Sequence, residues 1–291
     1  MNKTIAFFDS GIGGIPYLIH LKNIKPDFNY VYLADNANFP YGIKAGEVIK
    51  EIVLSAIGRL IEKITPDVIV IACNTATVVT LPYLREKFNV PFVGVVPAVK
   101  PAASMSGNKR IGLFATNKTV SDSYTDNLIS QFAGNCEVYK YADSNIVSFI
   151  ENKMFESNEK EILEYLAPAA KYFIEKDVDH VVLGCTHFLF INDMLENLFP
   201  KKIKTIDSRE GVSRQTLHIL KEPETVAFVR EFPYAHKCAV SIGTLPSDAS
   251  RGIFKTQTNS TNNFYVTSSN VNIDYYKKIA DRFMLKYSGI I

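Results

Sequence analysis

Three short segments of this 291-residue chain recur in the same order at nearly constant spacing. Lys3 to Ser10 (KTIAFFDS) is echoed 106 residues on by Lys109 to Thr116 (KRIGLFAT). Tyr32 to Asp35 (YLAD) returns 108 residues later as Lys140 to Asp143 (KYAD), and Asp67 to Asn74 (DVIVIACN) returns after 112 as Asp179 to Thr186 (DHVVLGCT). Ordered echoes of this kind predict two similar lobes built on one plan. Within each lobe, short apolar runs alternate with stretches of helical period. Thr4 to Phe8, Val31 to Ala34, Val68 to Ala72, Phe92 to Val96, Ile111 to Ala115, Val181 to Gly184 and Lys204 to Ile206 read as strands. Ala45 to Ile64, Thr77 to Phe88, Val120 to Phe132, Ile162 to Lys176 and Val212 to Lys221 carry apolar residues three and four apart and read as helices. The expected fold class is α/β: two pseudo-symmetric lobes with mainly parallel sheets and the active site in the cleft between them.

The lobe boundaries follow from the connections. Ala98 to Asn108, with Pro101, Ser104, Ser106 and Gly107, reads as the first crossover, and Ser208 to Arg214 as the return. The first lobe is expected over 1–97 plus 213–291 and the second over 98–212. Ser241 to Asn263, rich in Ser, Thr, Asn and Gly, reads as an irregular insertion, followed by a strand at Phe264 to Thr267 and a helix over Ile273 to Leu285.

Composition narrows the function. With 47% apolar and 21% charged residues and a net charge of +2, the chain is of ordinary globular type. It has no run of five basic residues, so no nucleic-acid partner and no membrane is expected, and the substrate should be small. Cys73, Cys136, Cys185 and Cys238 form no CxxC pair, which argues against a zinc site or a disulfide framework. Free thiols and the absence of a signal-peptide pattern make a cytoplasmic location the expectation.

The residues able to do chemistry gather at strand ends. Asp9-Ser10-Gly11-Ile12-Gly13-Gly14 follows a strand and should open a helix, with Pro16 in its first turn. Its glycines allow a tight turn that brings backbone amides to an anion. A dinucleotide fingerprint would need GxGxxG, and Pro16 occupies the position of the last glycine. Cys73-Asn74-Thr75 and Cys185-Thr186-His187 end matched strands of the two lobes, ahead of helical stretches whose amides should favour thiolates. Two thiols facing each other can form a disulfide, or they can hold a substrate carbon between them. The second arrangement suits inversion at a carbon acid, in which one base removes a proton and an acid on the opposite face returns it. Ser10, Asn74, Thr75, Thr116 and the Pro40-Tyr41-Gly42 turn are available to hold a carboxylate. His187 lies two residues from Cys185, where it could tune the thiol; His20, His180, His218 and His236 have no such setting.

The segments Asp9 to Gly14, Tyr32 to Asp35, Pro40 to Gly42, Cys73 to Ala76, Ala115 to Ser121 and Gly184 to His187 together resemble the glutamate racemases of the aspartate/glutamate racemase family. The resemblance implies interconversion of L- and D-glutamate without a cofactor, a supply of D-glutamate for peptidoglycan, and a homodimer. It implies that Cys73 works with Asp9 on the D-enantiomer and Cys185 with His187 on the L-enantiomer. It places Ser10, Pro40, Tyr41, Gly42, Asn74, Thr75, Thr116, Thr119 and Thr186 around the substrate. Glu151 aligns with a family glutamate near the site, although Asp143-Ser144 stands where Cys-Pro is common and Ser148 replaces another proline; its other reading is a solvated helix residue. No metal is implied. A racemase of aspartate or hydantoins, and a two-lobed binding or redox protein using the same thiols, remain open alternatives.

Overall fold

A computed structural model describes residues 2–223, 260–270 and 272–291. Within these residues ten strands form two sheets, and every strand pairing is parallel. β1 (Thr4–Asp9), β2 (Asn29–Ala34), β3 (Val68–Ile71) and β4 (Phe92–Gly94) join β9 (Asn262–Val266) and β10 (Lys286–Ile290) in the order β10-β9-β2-β1-β3-β4. β5 (Arg110–Ala115), β6 (Glu137–Ala142), β7 (His180–Leu183) and β8 (Lys204–Ile206) form the second sheet in the order β6-β5-β7-β8. The sequence of strands β2-β1-β3-β4 in one sheet is therefore repeated as β6-β5-β7-β8 in the other, which is the structural content of the echoes.

Eleven helices are described: α1 (Ile15–Ile24), α2 (Gly46–Ile64), α3 (Asn74–Lys87), α4 (Val99–Met105), α5 (Asn117–Ser121), α6 (Ser123–Phe132), α7 (Asn145–Asn152), α8 (Glu159–Glu175), α9 (Asn192–Leu198), α10 (Arg209–Ile219) and α11 (Ile273–Arg282). Short 3-10 helices at Tyr41–Ile43 and Thr186–Ile191 complete the frame. Among the described residues no helix is long and apolar enough to cross a membrane.

The central strands are covered on both faces, which is why they read as unbroken apolar runs. Ile5 and Phe7 of β1 join one core cluster, while the intervening Ala6 and Phe8 join another together with Ile49, Val53, Ile57 and Leu60 of α2. The first cluster continues into the second lobe through Phe114, Val181 and Leu183, so one apolar core bridges the two sheets. Leu113 and Ala115, on the opposite face of β5, pack with Val99, Ala102 and Ala103 of α4.

Edges and short helices are where expectation and structure part. β6 and β10 escaped the apolar-run criterion because polar residues interrupt both: Glu137 and Lys140 fall in β6, whose every residue is partly or fully exposed, and Lys286 and Ser288 fall in β10. The expected helix over Val120 to Phe132 is broken at Asp122, whose side chain accepts a hydrogen bond from Tyr124 N and starts α6. The first crossover contains α4, packed on α6 and β7, and the expected return at Ser208 is the start of α10, packed on α1. Cys238, His236 and residues 241–259 of the expected insertion lie outside the described residues, and Asn262 already belongs to β9.

Phe114 ties these layers together. Its ring lies 4.4 Å from Phe188, 6.0 Å from Phe173 and 5.7 Å from Tyr141, joining β5 to α8, β6 and the 3-10 helix after β7. Phe114→Ala is expected to lower unfolding stability by about 3–5 kcal/mol, the range for a fully buried phenylalanine, as measured by chemical denaturation.

Candidate active site

In a parallel sheet ordered 2-1-3-4, successive connections leave the first strand in opposite directions, and a crevice opens at the carboxyl ends between strands 1 and 3. Both sheets have this order, so each has such a point: β1/β3 in the first and β5/β7 in the second. The four strands deliver Asp9-Ser10, Cys73, Thr116 and Cys185 there. Cys73 is the N-cap residue of α3, and Cys185 occupies the same place ahead of the 3-10 helix at Thr186.

A cavity of about 280 Å³ lies between these ends. Ser10, Cys73, Asn74 and Thr75 line it from the first lobe, with Pro40, Tyr41 and Gly42 from the turn after β2. Thr116, Thr119, Cys185, Thr186 and His187 line it from the second lobe. Each of these residues was singled out in the sequence. Sequence reasoning missed Phe39 and Ile43, which flank the Pro40 turn, and Ser144, Asn145, Val147 and Ser148 at the start of α7. The unusual residues Ser144 and Ser148 were the available signal for that last wall.

Two expected site residues stand behind the cavity wall. Glu151 is 3% exposed, and its Oε1 accepts hydrogen bonds from Ile12 N at 2.7 Å and from His187 Nε2 at 2.6 Å. It is not among the residues that line the cavity, and it is not on a solvated face. It backs His187, whose Nδ1 lies 3.9 Å from Cys185 Sγ. Asp9 is fully buried; its Oδ2 accepts from Thr186 Oγ1 at 3.0 Å and its Oδ1 from Ser10 Oγ and Gly11 N at 3.1 and 3.3 Å.

The glycine turn meets an anion, but one supplied by the chain itself. A Cβ on Gly11 would lie 1.9 Å from Glu151 Oε1, and one on Gly13 would lie 2.5 Å from His187 Nδ1. These two positions must be glycine because the carboxylate and imidazole of the other lobe press onto the backbone. Tyr32 holds the turn from below, its hydroxyl donating to Gly11 O at 2.9 Å and accepting from Gly14 N at 3.0 Å. Across the cleft, Asn74 Nδ2 donates to Gly184 O, linking the two cysteine-bearing turns. Asn74 Oδ1 is buried beside the cavity with its accepting capacity unused, so an incoming N–H or O–H group would satisfy it.

Burial sets the proton inventory. It pushes the Cys73 thiol well above its ordinary pKa, assisted by the negative charge of Asp9 and only partly opposed by the Ala76 and Ser10 amides. The expectation that the helix amides would yield a thiolate here is therefore overturned, because desolvation outweighs them. Asp9 is raised by burial from 3.8 to about 6, against the charge of His187 and the Thr186 hydrogen bond. Burial works against a charged His187, but hydrogen bonds to Cys185 and Glu151, and the negative charge of Glu151, outweigh it and hold the imidazolium well above the usual histidine range. Among the described residues no group of three or more His, Cys, Asp and Glu side chains is arranged to hold a metal ion.

The Asp9 shift makes stability depend on pH. The native carboxyl binds its proton more tightly than the unfolded one, so its contribution to stability is complete below pH 3.8 and is lost as pH rises to about 6. Two pKa units correspond to about 3 kcal/mol. Asp9→Asn, which keeps acceptor and donor groups for Gly11 N and Thr186, is expected to exceed the wild type in stability by up to that amount at pH 7 and to match it near pH 4. Denaturant titrations at the two pH values check this.

The Asp/Glu/hydantoin racemase family model matches residues 20–211. Over 232 residues the chain is 40% identical to a glutamate racemase of Shewanella sp. (strain MR-7), covering 79% of this chain and 84% of that protein. It is 37% identical over 247 residues to the glutamate racemase of Yersinia enterocolitica, covering 83% and 84%. The crystal structure of Escherichia coli glutamate racemase in complex with L-glutamate and the activator UDP-MurNAc-Ala superimposes with a TM-score of 0.80 at 30% identity, over 100% of this chain and 97% of that one. Two parallel sheets with the same strand order, a cysteine at the matched strand end of each, and these likenesses place the chain in the Asp/Glu/hydantoin racemase family.

Proposed function

We propose that the chain interconverts L- and D-glutamate by a two-base mechanism in which one thiolate removes the α-proton and a second thiol returns a proton to the opposite face. The observation that carries this reading is that Cys73 and Cys185, from matched ends of two sheets, line the same cavity. Relatives of about 40% identity that are glutamate racemases support the choice of substrate. The lobes are taken as 1–97 plus 213–291 and 98–212, and the cleft between them as the site.

In the L-to-D direction, Cys185 acts as base and removes the α-proton, with His187 beside it and Glu151 holding the ring. Cys73, kept protonated by burial, delivers its proton to the opposite face of the carbanion. The turnover leaves Cys185 as thiol and Cys73 as thiolate, so the reverse direction starts from that state, with Asp9 beside Cys73. Thr75, Thr116, Thr119 and Ser10 supply donors for the substrate carboxylates, and the unused Asn74 Oδ1 accepts from its ammonium group. Concentrating such donors in one cavity lowers the cost of the developing negative charge. The reading extends to a cytoplasmic homodimer that provides D-glutamate for peptidoglycan.

Incubation of either glutamate enantiomer with the reduced protein in deuterated water should give α-deuteration together with loss of optical activity. Aspartate and hydantoins should react far more slowly; no exchange with any of them would sink the proposal. Cys73→Ser and Cys185→Ser should each abolish racemisation. His187→Asn is expected to lower kcat/KM by about a hundredfold, the scale of a general acid–base contribution. Both directions should fall equally, since the enantiomers are equal in energy, and polarimetry of the two reactions measures this.

A further inference from the structure

The cavity wall formed by Pro40, Tyr41 and Gly42 is held from outside by a segment that returns to the site from the far end of the chain. Tyr41 is 1% exposed and lines the cavity, and its hydroxyl donates to Asp35 Oδ2 at 2.5 Å. The other oxygen of Asp35 accepts from Thr267 Oγ1, also at 2.5 Å. Asp35 follows β2 and Thr267 follows β9, and the two strands pair up to Ala34 and Val266, so strand register brings the carboxylate and the hydroxyl together. The Thr267 hydroxyl also accepts from Ala37 N at 3.2 Å. Neighbouring bonds fasten the same joint: Asn36 Oδ1 accepts from the amides of Thr267 and Ser268, each at 3.0 Å, and Asn36 Nδ2 donates to Ser268 O at 2.9 Å.

We infer that Thr267 is a positioning residue for the substrate: through Asp35 it sets where Tyr41 stands in the cavity wall, and so how tightly glutamate is held. Asp35 is 0% exposed, and a buried carboxylate that loses one of its donors shifts to recover another. Among the described residues its other side-chain donors are Tyr41 and Asn38, both on the loop that forms the wall. The loop would therefore relax around Asp35 when Thr267 lets go, while the thiols, which cap the helices that follow β3 and β7, keep their places. Thr267 lies on no wall of the cavity, so its effect on the substrate is transmitted through Asp35 and Tyr41.

This inference rests on the proposed racemisation, and its test has an arm independent of it. Thr267→Val keeps the shape and removes the hydroxyl, whereas Thr267→Ser keeps the hydroxyl. For Thr267→Val, KM for L-glutamate should rise by about tenfold with kcat within about twofold, the signature of lost binding rather than lost chemistry. Thr267→Ser should restore the wild-type KM. In parallel, amide hydrogen exchange over residues 36–43 of the substrate-free protein should quicken in Thr267→Val and not in Thr267→Ser. Unchanged KM in Thr267→Val, an equal rise in both variants, or a fall confined to kcat would overturn the inference. If the wild type racemises nothing, the proposed function fails on its own, and the exchange measurement still decides whether Thr267 holds the loop.

Discussion

Glu151 reaches from α7 of the second lobe into the glycine turn that follows β1 of the first, where one carboxylate oxygen accepts from both Ile12 N and His187 Nε2. The geometry of the cleft hangs on that contact. Glycine at positions 11 and 13 leaves the room for it, and Tyr32 braces the turn against it. A buried carboxylate and imidazolium recover little net free energy after desolvation, so the pair contributes more to arrangement than to stability. What it determines is which way the His187 ring faces, and therefore that Nδ1 is turned toward Cys185.

The same burial that makes the Glu151 contact demanding acts on Cys73. Burial keeps a proton on Cys73, and the paired imidazolium stands by Cys185, so the two sides of the cavity differ in the protons they hold although they descend from matching strands. A two-base exchange needs such a difference, since one side must take a proton while the other gives one. Asp9 is part of the same balance: it lies behind the wall, held by Thr186 of the other lobe, and its charge discourages a second charge on Cys73.

Much of the fold was legible because its central strands are buried on both faces and leave unbroken apolar runs: Ile5 to Phe8, Val68 to Ile71 and Val181 to Leu183 each announce themselves. β6 and β10 do not. In β6 the charged residues Glu137 and Lys140 break the apolar run at a half-solvated edge, and only its echo of Tyr32 to Asp35 hinted at a strand. Short helices such as α4, α7 and α9 span only about two turns and carry too few residues for a period to show.

The site divides along the same line. Sequence alone determined the chemistry on offer: two cysteines at matched strand ends, their Asn-Thr and Thr-His neighbours, the glycine turn and the Pro40 turn, all encoded as contiguous motifs. Only the tertiary structure decided what surrounds them. Glu151 faces His187 instead of solvent, Asp9 stands behind the wall instead of on it, and Thr267 is joined to Asp35 across a separation of 232 residues. It also decided that Cys73 keeps its proton, because the local helix amides are visible in a motif whereas the desolvation that overrides them depends on how two lobes close over the thiol.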